Sequence, residues 1–217
     1  MSSRFYERIH SLLESLKKEG TYKEYRYLIS SLDGRGAVED YDDVVMLCSN
    51  NYLGLANHPE IVKKGIETLE KYGAGAASVR FICGTYDIHR TLENKVAQFL
   101  GTEAALTYTS CWNANTALIP VLLSPGDAVI SDELNHASII DGCRLVAKGV
   151  QRHVYRHADL NSLEDKLKEA ASEDGVCLIV TDGVFSMEGD IAPLPGIIEL
   201  AKKYDALVMV DDSHGTG

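Results

Sequence analysis

Apolar residues follow two different spacings along the second half of the chain. Short apolar runs such as residues 207–210 (LVMV) are typical of buried strands, and spacings of three and four residues are typical of helices. The pattern predicts, in order, helix 89–100, strand 104–109, helix 113–123, strand 127–131, helix 137–147, strand 151–155, helix 161–173, strand 176–181, helix 195–204 and strand 206–211. This alternation predicts an α/β fold, a mostly parallel sheet with helices on both faces. The last strand is expected to be buried on both faces.

The first 88 residues are less regular. Residues 5–16 place their apolar side chains on one face of a helix, which Gly20 can terminate. Residues 21–43 are a turn-rich connection to a short strand at 44–48, and a polar loop then leads to a helix beginning near Pro59. We therefore predict an N-terminal helix and arm over 1–43 and the main domain over 44–217.

Composition narrows the class of protein. A hydrophobic content of 45% in 217 residues is enough for a sizeable core. The net charge of -11 argues against nucleic acid and against an anionic membrane surface, and no apolar run approaches the ~20 residues that span a bilayer. Five cysteines without a C-x-x-C pair are typical of reduced thiols, which predicts a cytoplasmic location.

Polar residues gather where predicted strands end. Four such places follow strands, at residues 109–115, 135–138, 181–189 and 211–214. Because the carboxyl ends of parallel strands share one edge of a sheet, these residues are expected to lie together. Each place alone has a structural alternative, since Ser, Asn and Asp often cap helices and a lone His is often an ordinary polar residue.

Together these residues form a set of parts with one chemistry. A helix N-terminus near Cys111 can bind phosphate, His136 can stack on a planar ring, and Ser186 supplies a hydroxyl outside any G-x-S-x-G frame. Asp211 can keep a pyridine nitrogen protonated, which makes the ring an electron sink. This set predicts pyridoxal 5'-phosphate as the cofactor and no metal.

The loop at residues 73–85 has a different character. Its G-x-G follows a helix and not a strand, which excludes a dinucleotide fingerprint. The small residues and Arg80 indicate a close approach to a ligand or to a neighbouring subunit.

Five segments resemble the α-oxoamine synthases, fold-type I pyridoxal-phosphate enzymes that condense an amino acid with an acyl-CoA. The segments are residues 49–55 (SNNYLGL), 77–85 (ASVRFICGT), 134–142 (LNHASIIDG), 182–187 (DGVFSM) and 210–214 (VDDSH). The resemblance runs from about residue 4 to the end of the chain. It implies the large domain of that fold, of which this chain would hold the N-terminal part.

The resemblance also implies roles for individual residues. Cys111 and Trp112 would hold the cofactor phosphate through their backbone N–H groups, although Phe or Tyr is expected where Trp112 stands. His136 would stack on the pyridine ring, and Asp211 would pair with the ring nitrogen. Ser186 and His214 would lie near the 3'-oxygen of the cofactor, and Asn50 would contact the substrate. His136, Asp211 and His214 are the catalytic candidates.

The implied reaction joins glycine and acetyl-CoA to give 2-amino-3-oxobutyrate and CoA, reversibly, with cleavage as the direction in threonine degradation. Alanine plus a pimeloyl thioester, a step in biotin synthesis, is the alternative. A homodimer is implied, in which the 73–85 loop approaches the partner's site. Two alternatives come from other classes: a metal-dependent hydrolase using His136, Asp211, Asp212 and His214, and a non-catalytic scaffold.

One family residue has no counterpart. The Schiff-base lysine of the family follows the Asp-x-x-His, whereas no lysine follows Lys203 here. We expect these 217 residues alone to lack that lysine, the remaining strands and the small domain. They would be inactive and poorly folded, with an exposed sheet edge.

Overall fold

The structure, a computed structural model, describes residues 3–170 and 175–217. It contains two compact units, Met1–Gly75 and Ala76–Gly217, which are described in turn. The domain boundary at 43/44 stays a prediction. Within the described residues, no helix has the length and apolar character needed to cross a bilayer.

The first unit contains two helices and a hairpin. Helix α1 spans Ser3–Lys18 and α2 spans Pro59–Tyr72, while β1 (Arg35–Val38) pairs antiparallel with β2 (Tyr41–Val45). The sequence pattern missed β1 and placed the strand at 44–48, which is wrong. A two-residue turn explains the difference, because Asp40 adopts a φ of 72° and lets the chain reverse directly after Val38.

The second unit is the α/β part of the chain. Its elements are α3 (Asp87–Leu100), α4 (Cys111–Leu122), β3 (Ala128–Asp132), α5 (Ala137–Arg144), β4 (Gln151–Tyr155), α6 (Leu160–Ala170), β5 (Cys177–Asp182), α7 (Leu194–Lys203) and β6 (Ala206–Asp211). Residues 171–173 of the predicted helix 161–173 lie outside the described residues. The predicted helix 137–147 ends earlier, at Arg144, where the N–H of Leu145 caps the helix by donating to Asp141 and Gly142 carbonyls.

The four strands β3 to β6 form one parallel sheet in the order β4-β3-β5-β6. Apolar side chains cover both of its faces. Ile130 on one face packs with Leu163 of α6 and Ile197 of α7, and Val129 on the other packs with Ile119 of α4 and with α5. Burial of each such side chain contributes about 1.5–3 kcal/mol. The predicted fold class is confirmed, and the carboxyl ends of all four strands lie at one edge.

Two expectations for the strands are wrong. Residues 104–109 form no strand, and the N–H of Thr107 donates to the Glu93 carboxylate at 3.0 Å in place of a neighbouring strand. Strand β6 is not buried on both faces, since Leu207 is 51% and Val210 37% exposed. The reason is that β6 lies at the edge of the sheet, with β5 as its one strand neighbour in the described residues.

Candidate functional site

Side chains from four elements of the second unit meet at the carboxyl edge of the sheet. Asp211 ends β6, Asp182 ends β5, and His136 follows β3 and begins α5. Cys111, the first residue of α4, lies within hydrogen-bond distance of Asp211. Asp211, His136 and Cys111 therefore share one edge of the sheet.

Asp211 is a buried carboxylate surrounded by donors. Its Oδ1 accepts from the Ser213 hydroxyl at 2.6 Å and the Ser213 N–H at 3.0 Å, and its Oδ2 accepts from Asn115 Nδ2 at 2.7 Å and Cys111 Sγ at 3.3 Å. Burial acts to raise the pKa of Asp211, but the hydrogen bonds from Ser213 and Asn115 outweigh it and hold the pKa below its ordinary value. Asp211 is therefore anionic at neutral pH.

Asp182 lies at the same edge of the sheet, and its pKa is shifted in the opposite direction. Burial raises the pKa of the Asp182 carboxyl above its ordinary value, and the negative charge of Asp211 adds to the rise. The backbone N–H of His136 donates to Asp182 Oδ2 at 2.7 Å and opposes it. Asp182 thereby fixes the start of α5 against the end of β5.

The loop that carries His136 is held by its neighbour. Asn135 is buried, its Nδ2 donates to the carbonyl of Val180 at 2.9 Å, and its Oδ1 accepts the N–H of Asp182 at 2.8 Å. These bonds tie the loop after β3 to the backbone of β5. The ring of His136 meets the ring of Trp112 edge-on, with centroids 6.0 Å apart.

The N-terminus of α4 opens on the same edge. Ser110 is its N-cap, and the Ser110 hydroxyl accepts the N–H of Asn113 at 3.1 Å, so the cap that the sequence offered as an alternative is present. The N–H groups of Cys111 and Trp112 come before the first intrahelical bonds and have no acceptor within the helix. With the positive end of the helix dipole, they suit an anion such as phosphate.

Besides Asp182 and Asn135, two further residues of the site were missed as candidates. Asn115 on α4 and Ser138 on α5 are both buried, and Asn115 Nδ2 donates to the Ser138 hydroxyl at 2.9 Å. Ser138 in turn lies 2.7 Å from Nδ1 of His136. The available signal was a polar residue on the buried face of α4, four positions before Ile119.

Glycine at position 142 allows α4 and α5 to pack closely. A Cβ there would lie 2.7 Å from the carbonyl oxygen of Asn115 and 2.9 Å from the side chain of Ile119. A larger residue would push the helices apart. Gly142 therefore helps to set the position of Asn115 relative to Ser138.

The other candidates lie in turns or in the first unit. Ser186 is exposed in a turn closed by the bond from the Phe185 N–H to the Asp190 carbonyl, and His214 is half-buried in the turn after β6. Asn50 belongs to the first unit, where its Oδ1 accepts from the Tyr52 hydroxyl at 3.4 Å. The predicted roles of all seven candidates stay predictions.

Arg80 is bound within the second unit. Its guanidinium donates to Thr107 at 2.8 Å, Glu93 at 2.9 Å and Thr85 at 3.0 Å. Hydrogen bonds from Thr107, together with that from Arg80, lower the pKa of Glu93 to about 2. This network holds the loop after residue 76 against α3 and the extended segment at 104–109.

The geometry offers no support for a metal centre. Among residues 3–170 and 175–217, no three His, Cys, Asp or Glu side chains are grouped to hold a metal ion. The hydrolase alternative, which would use His136, Asp211, Asp212 and His214, stays untested.

Comparison with known sequences decides the family. The pattern described as "Aminotransferase class I and II" matches residues 42–217. The chain belongs to this family. Among similar proteins, the 2-amino-3-ketobutyrate coenzyme A ligase of Escherichia coli (strain K12) is 51% identical, with 100% of this chain and 54% of the relative covered. The 8-amino-7-oxononanoate synthase of Geobacter sulfurreducens is 49% identical, with 94% and 51% covered. The chain thus spans about half the length of these curated relatives.

Solved structures give the same result for the fold. A serine palmitoyltransferase from S. paucimobilis with a bound PLP–myriocin aldimine superposes with a TM-score of 0.86 at 29% identity, over 95% of this chain and 53% of that one. The Sphingomonas wittichii serine palmitoyltransferase gives 0.85 at 30% identity, over 96% and 51%. The resemblance to α-oxoamine synthases is confirmed.

Proposed function

We propose that this protein binds pyridoxal 5'-phosphate at the carboxyl edge of the sheet and is a glycine C-acetyltransferase, which joins glycine and acetyl-CoA to give 2-amino-3-oxobutyrate and CoA. One observation carries the proposal. A buried, anionic Asp211 lies at the same sheet edge as the ring of His136 and the free N-terminal N–H groups of α4.

The donor set fits the cofactor. A pyridinium nitrogen needs an anionic acceptor, a flat ring needs an aromatic neighbour, and a phosphate needs N–H donors in a positive potential. Asp211, His136 and the pair Cys111 and Trp112 supply these three groups in that order. We assign Ser186 and His214 to the 3'-oxygen and Asn50 to the substrate, as in the sequence-based assignment.

When bound, the cofactor supplies a protonated ring that accepts electrons released at the substrate Cα. Asp211 accepts a hydrogen bond from the ring nitrogen and holds the proton there, because Ser213 and Asn115 keep its carboxylate charged. His136 packs against the ring and excludes water from one face. The N-terminus of α4 anchors the phosphate, which fixes the ring relative to Asp211.

One donor on Asp211 has to make room for the ring nitrogen. A carboxylate has about four acceptor positions, and four donors from Ser213, Asn115 and Cys111 fill them. The thiol of Cys111, at 3.3 Å, is the weakest of these donors. Cys111 is therefore the group that gives way when the cofactor binds.

Cofactor binding can be measured with a built-in probe. Trp112 is the only tryptophan of the chain, and it lies at the proposed phosphate site. Pyridoxine 5'-phosphate, which has no aldehyde to react with lysines, should quench Trp112 fluorescence saturably. Asp211→Asn should weaken binding about 10- to 100-fold, the contribution of a charge-assisted hydrogen bond. Asp159→Asn, which removes a half-buried carboxylate on another loop, is the matched control.

Two results would contradict the cofactor proposal. One is the absence of saturable quenching in the unmodified protein. The other is equal affinity in the Asp211→Asn and Asp159→Asn variants. The first result would also leave the non-catalytic scaffold as the better interpretation.

The choice of substrate requires a turnover assay. The whole polypeptide that the gene encodes is supplied with glycine plus acetyl-CoA, or with alanine plus pimeloyl-CoA, and release of CoA thiol is followed. We expect the glycine pair to be preferred by on the order of tenfold or more, since small differences in side-chain size give discrimination of that order. Preference for the alanine pair would favour 8-amino-7-oxononanoate synthesis, the second candidate, which the Geobacter relative supports.

We also propose a cytoplasmic homodimer. The five cysteines are unpaired and contain no C-x-x-C pair, which supports a reducing compartment. The family resemblance supports a shared site that the 73–85 loop reaches. Sedimentation equilibrium should give twice the chain mass for the whole polypeptide, and cell fractionation should place it with cytoplasmic markers. A monomer, or recovery in another compartment, would contradict the respective part.

A further inference from the structure

Asn115 is a buried amide that links Asp211 and His136, the two side chains proposed to contact the cofactor ring. It is 3% exposed, and its Nδ2 lies 2.7 Å from Asp211 Oδ2 and 2.9 Å from Ser138 Oγ. A carboxylate can only accept hydrogen bonds, so the nitrogen of the amide must face Asp211. The two hydrogens of one NH2 group thus serve Asp211 and Ser138, and the contact of Nδ2 with Cys111 Sγ at 3.7 Å is long.

The direction of the hydrogen bond between Ser138 and His136 follows from that between Asn115 and Ser138. Because Ser138 Oγ accepts from Asn115, its own hydrogen is available for His136 Nδ1, which lies 2.7 Å away. The backbone N–H of Ser138 also points at Nδ1, at 3.3 Å, and an N–H can only donate. Two donors on Nδ1 mean that this nitrogen carries a lone pair. The proton of the imidazole is then on Nε2.

We propose that Asn115 is a positioning residue for the cofactor: it holds Asp211 as an anion and, through Ser138, holds His136 neutral with its proton on Nε2. We call Asp211, Asn115, Ser138 and His136 the amide relay. This inference rests on the proposed function, because it explains why Asp211 is charged and His136 is neutral at the cofactor site. A neutral imidazole can lie on a positively charged pyridine ring, whereas an imidazolium would be repelled by it.

The tautomer of His136 can be read directly, without cofactor. Protein labelled with 15N-histidine gives long-range 1H–15N correlations that distinguish protonated from unprotonated ring nitrogens, and a His136→Gln variant assigns the signals. We expect Nδ1 of His136 to be unprotonated. Ser138→Ala removes one of its two donors and should raise the ratio of the Nδ1–H to the Nε2–H tautomer about fivefold, the effect of one hydrogen bond.

A matched control separates this effect from general loosening. Ser162→Ala also removes a serine hydroxyl, one that accepts the N–H of Arg156 at 3.1 Å on another loop. It should leave the His136 signals unchanged. A merely structural role for Ser138 would not move the tautomer ratio.

Asn115→Asp reverses the relay at constant size. A carboxyl group at 115 lies against Asp211, so the two share one proton, and its oxygen accepts from the Ser138 hydroxyl. Ser138 Oγ can then accept from His136, so the fraction of the Nδ1–H tautomer should rise, although the Ser138 N–H still donates to Nδ1. A tautomer ratio of His136 that is unchanged in a folded Asn115→Asp protein would overturn the proposal. If that variant does not fold, Ser138→Ala decides, and a tautomer ratio within about twofold of the unmodified protein would also overturn it.

The two proposals fail in different ways. Protonated Nδ1 in the unmodified protein, together with saturable binding of pyridoxine 5'-phosphate, removes the amide relay and leaves the cofactor site. Unprotonated Nδ1 that responds to Ser138→Ala, without any binding, keeps the hydrogen-bond direction and removes its proposed purpose.

Discussion

Replacement of Gly142 by alanine tests how closely α4 and α5 must pack to form the site. In most helices this substitution is favourable, because alanine restricts the unfolded chain and has the higher helix propensity, by about 1 kcal/mol. Gly142 is different. The added Cβ would lie 2.7 Å from the backbone oxygen of Asn115 and 2.9 Å from Ile119.

The expected magnitude follows from these two contacts. A backbone carbonyl in the middle of a helix cannot rotate away as a side chain could, so α4 and α5 must separate. Overpacking of this kind costs ~3 kcal/mol at the upper end of its usual range. Set against a propensity gain of ~1 kcal/mol, the free energy of unfolding should fall by about 2 kcal/mol.

Gly65 provides the matched control. It lies in the middle of α2, and a Cβ there meets no atom within 4 Å. Gly65→Ala should therefore stabilise the first unit by about 0.5–1 kcal/mol. Amide hydrogen exchange, read separately for each helix at equilibrium, reports the local opening free energy of α2 and of α5 in the same experiment.

The packing argument is refuted by a simple result. If amides of α4 and α5 in Gly142→Ala exchange as slowly as in the unmodified protein, or more slowly, the close approach does not need glycine. The same variant should also disturb the tautomer of His136, because the carbonyl displaced by the new Cβ belongs to Asn115. Lost stability with an unchanged His136 tautomer would show that α4 can shift without breaking the amide relay.

Three further predictions concern single side chains. Cys111→Ala should keep its affinity for pyridoxine 5'-phosphate within about threefold by Trp112 quenching, because a thiol is a weak donor; a loss as large as that in Asp211→Asn would contradict it. His157 lies 3.0 Å from Asp132 and 3.2 Å from Asp190; burial acts to lower its pKa, but these two bonds outweigh it and raise the pKa above 6.5. The charged form of His157 therefore stabilises the fold below about pH 6.5, and this stability is lost as pH rises through the folded pKa. His157→Gln should flatten this part of a Tm-against-pH curve; an unchanged curve would mean that the contacts of His157 with Asp132 and Asp190 do not stabilise the fold. Leu163→Ala, at a fully buried position between α6 and the sheet, should lower the urea unfolding free energy by about 2–5 kcal/mol, whereas a loss below about 1 kcal/mol would mean that the core there is loosely packed.

Local patterns were sufficient for most elements of the second unit. Strands β4 and β6 begin and end at the residues that the hydrophobic pattern of the sequence predicts, Gln151–Tyr155 and Ala206–Asp211. Parallel pairing followed from the alternation of strands and helices. The pattern was wrong at residues 104–109, because an apolar sequence becomes a strand only where another strand offers hydrogen bonds, and Glu93 took that place for Thr107.

The sequence by itself determined the α/β class, the parallel order of elements and the placement of Asp211, His136 and Cys111 at strand and helix ends, since hydrophobic periodicity and capping act over a few residues. Tertiary structure alone decided what those groups contact. Asn115 reaches Asp211 across 96 positions of sequence, and it reaches Ser138 because Gly142 lets two helices approach. Such bonds depend on how elements pack in space, and no local spacing of residues encodes them.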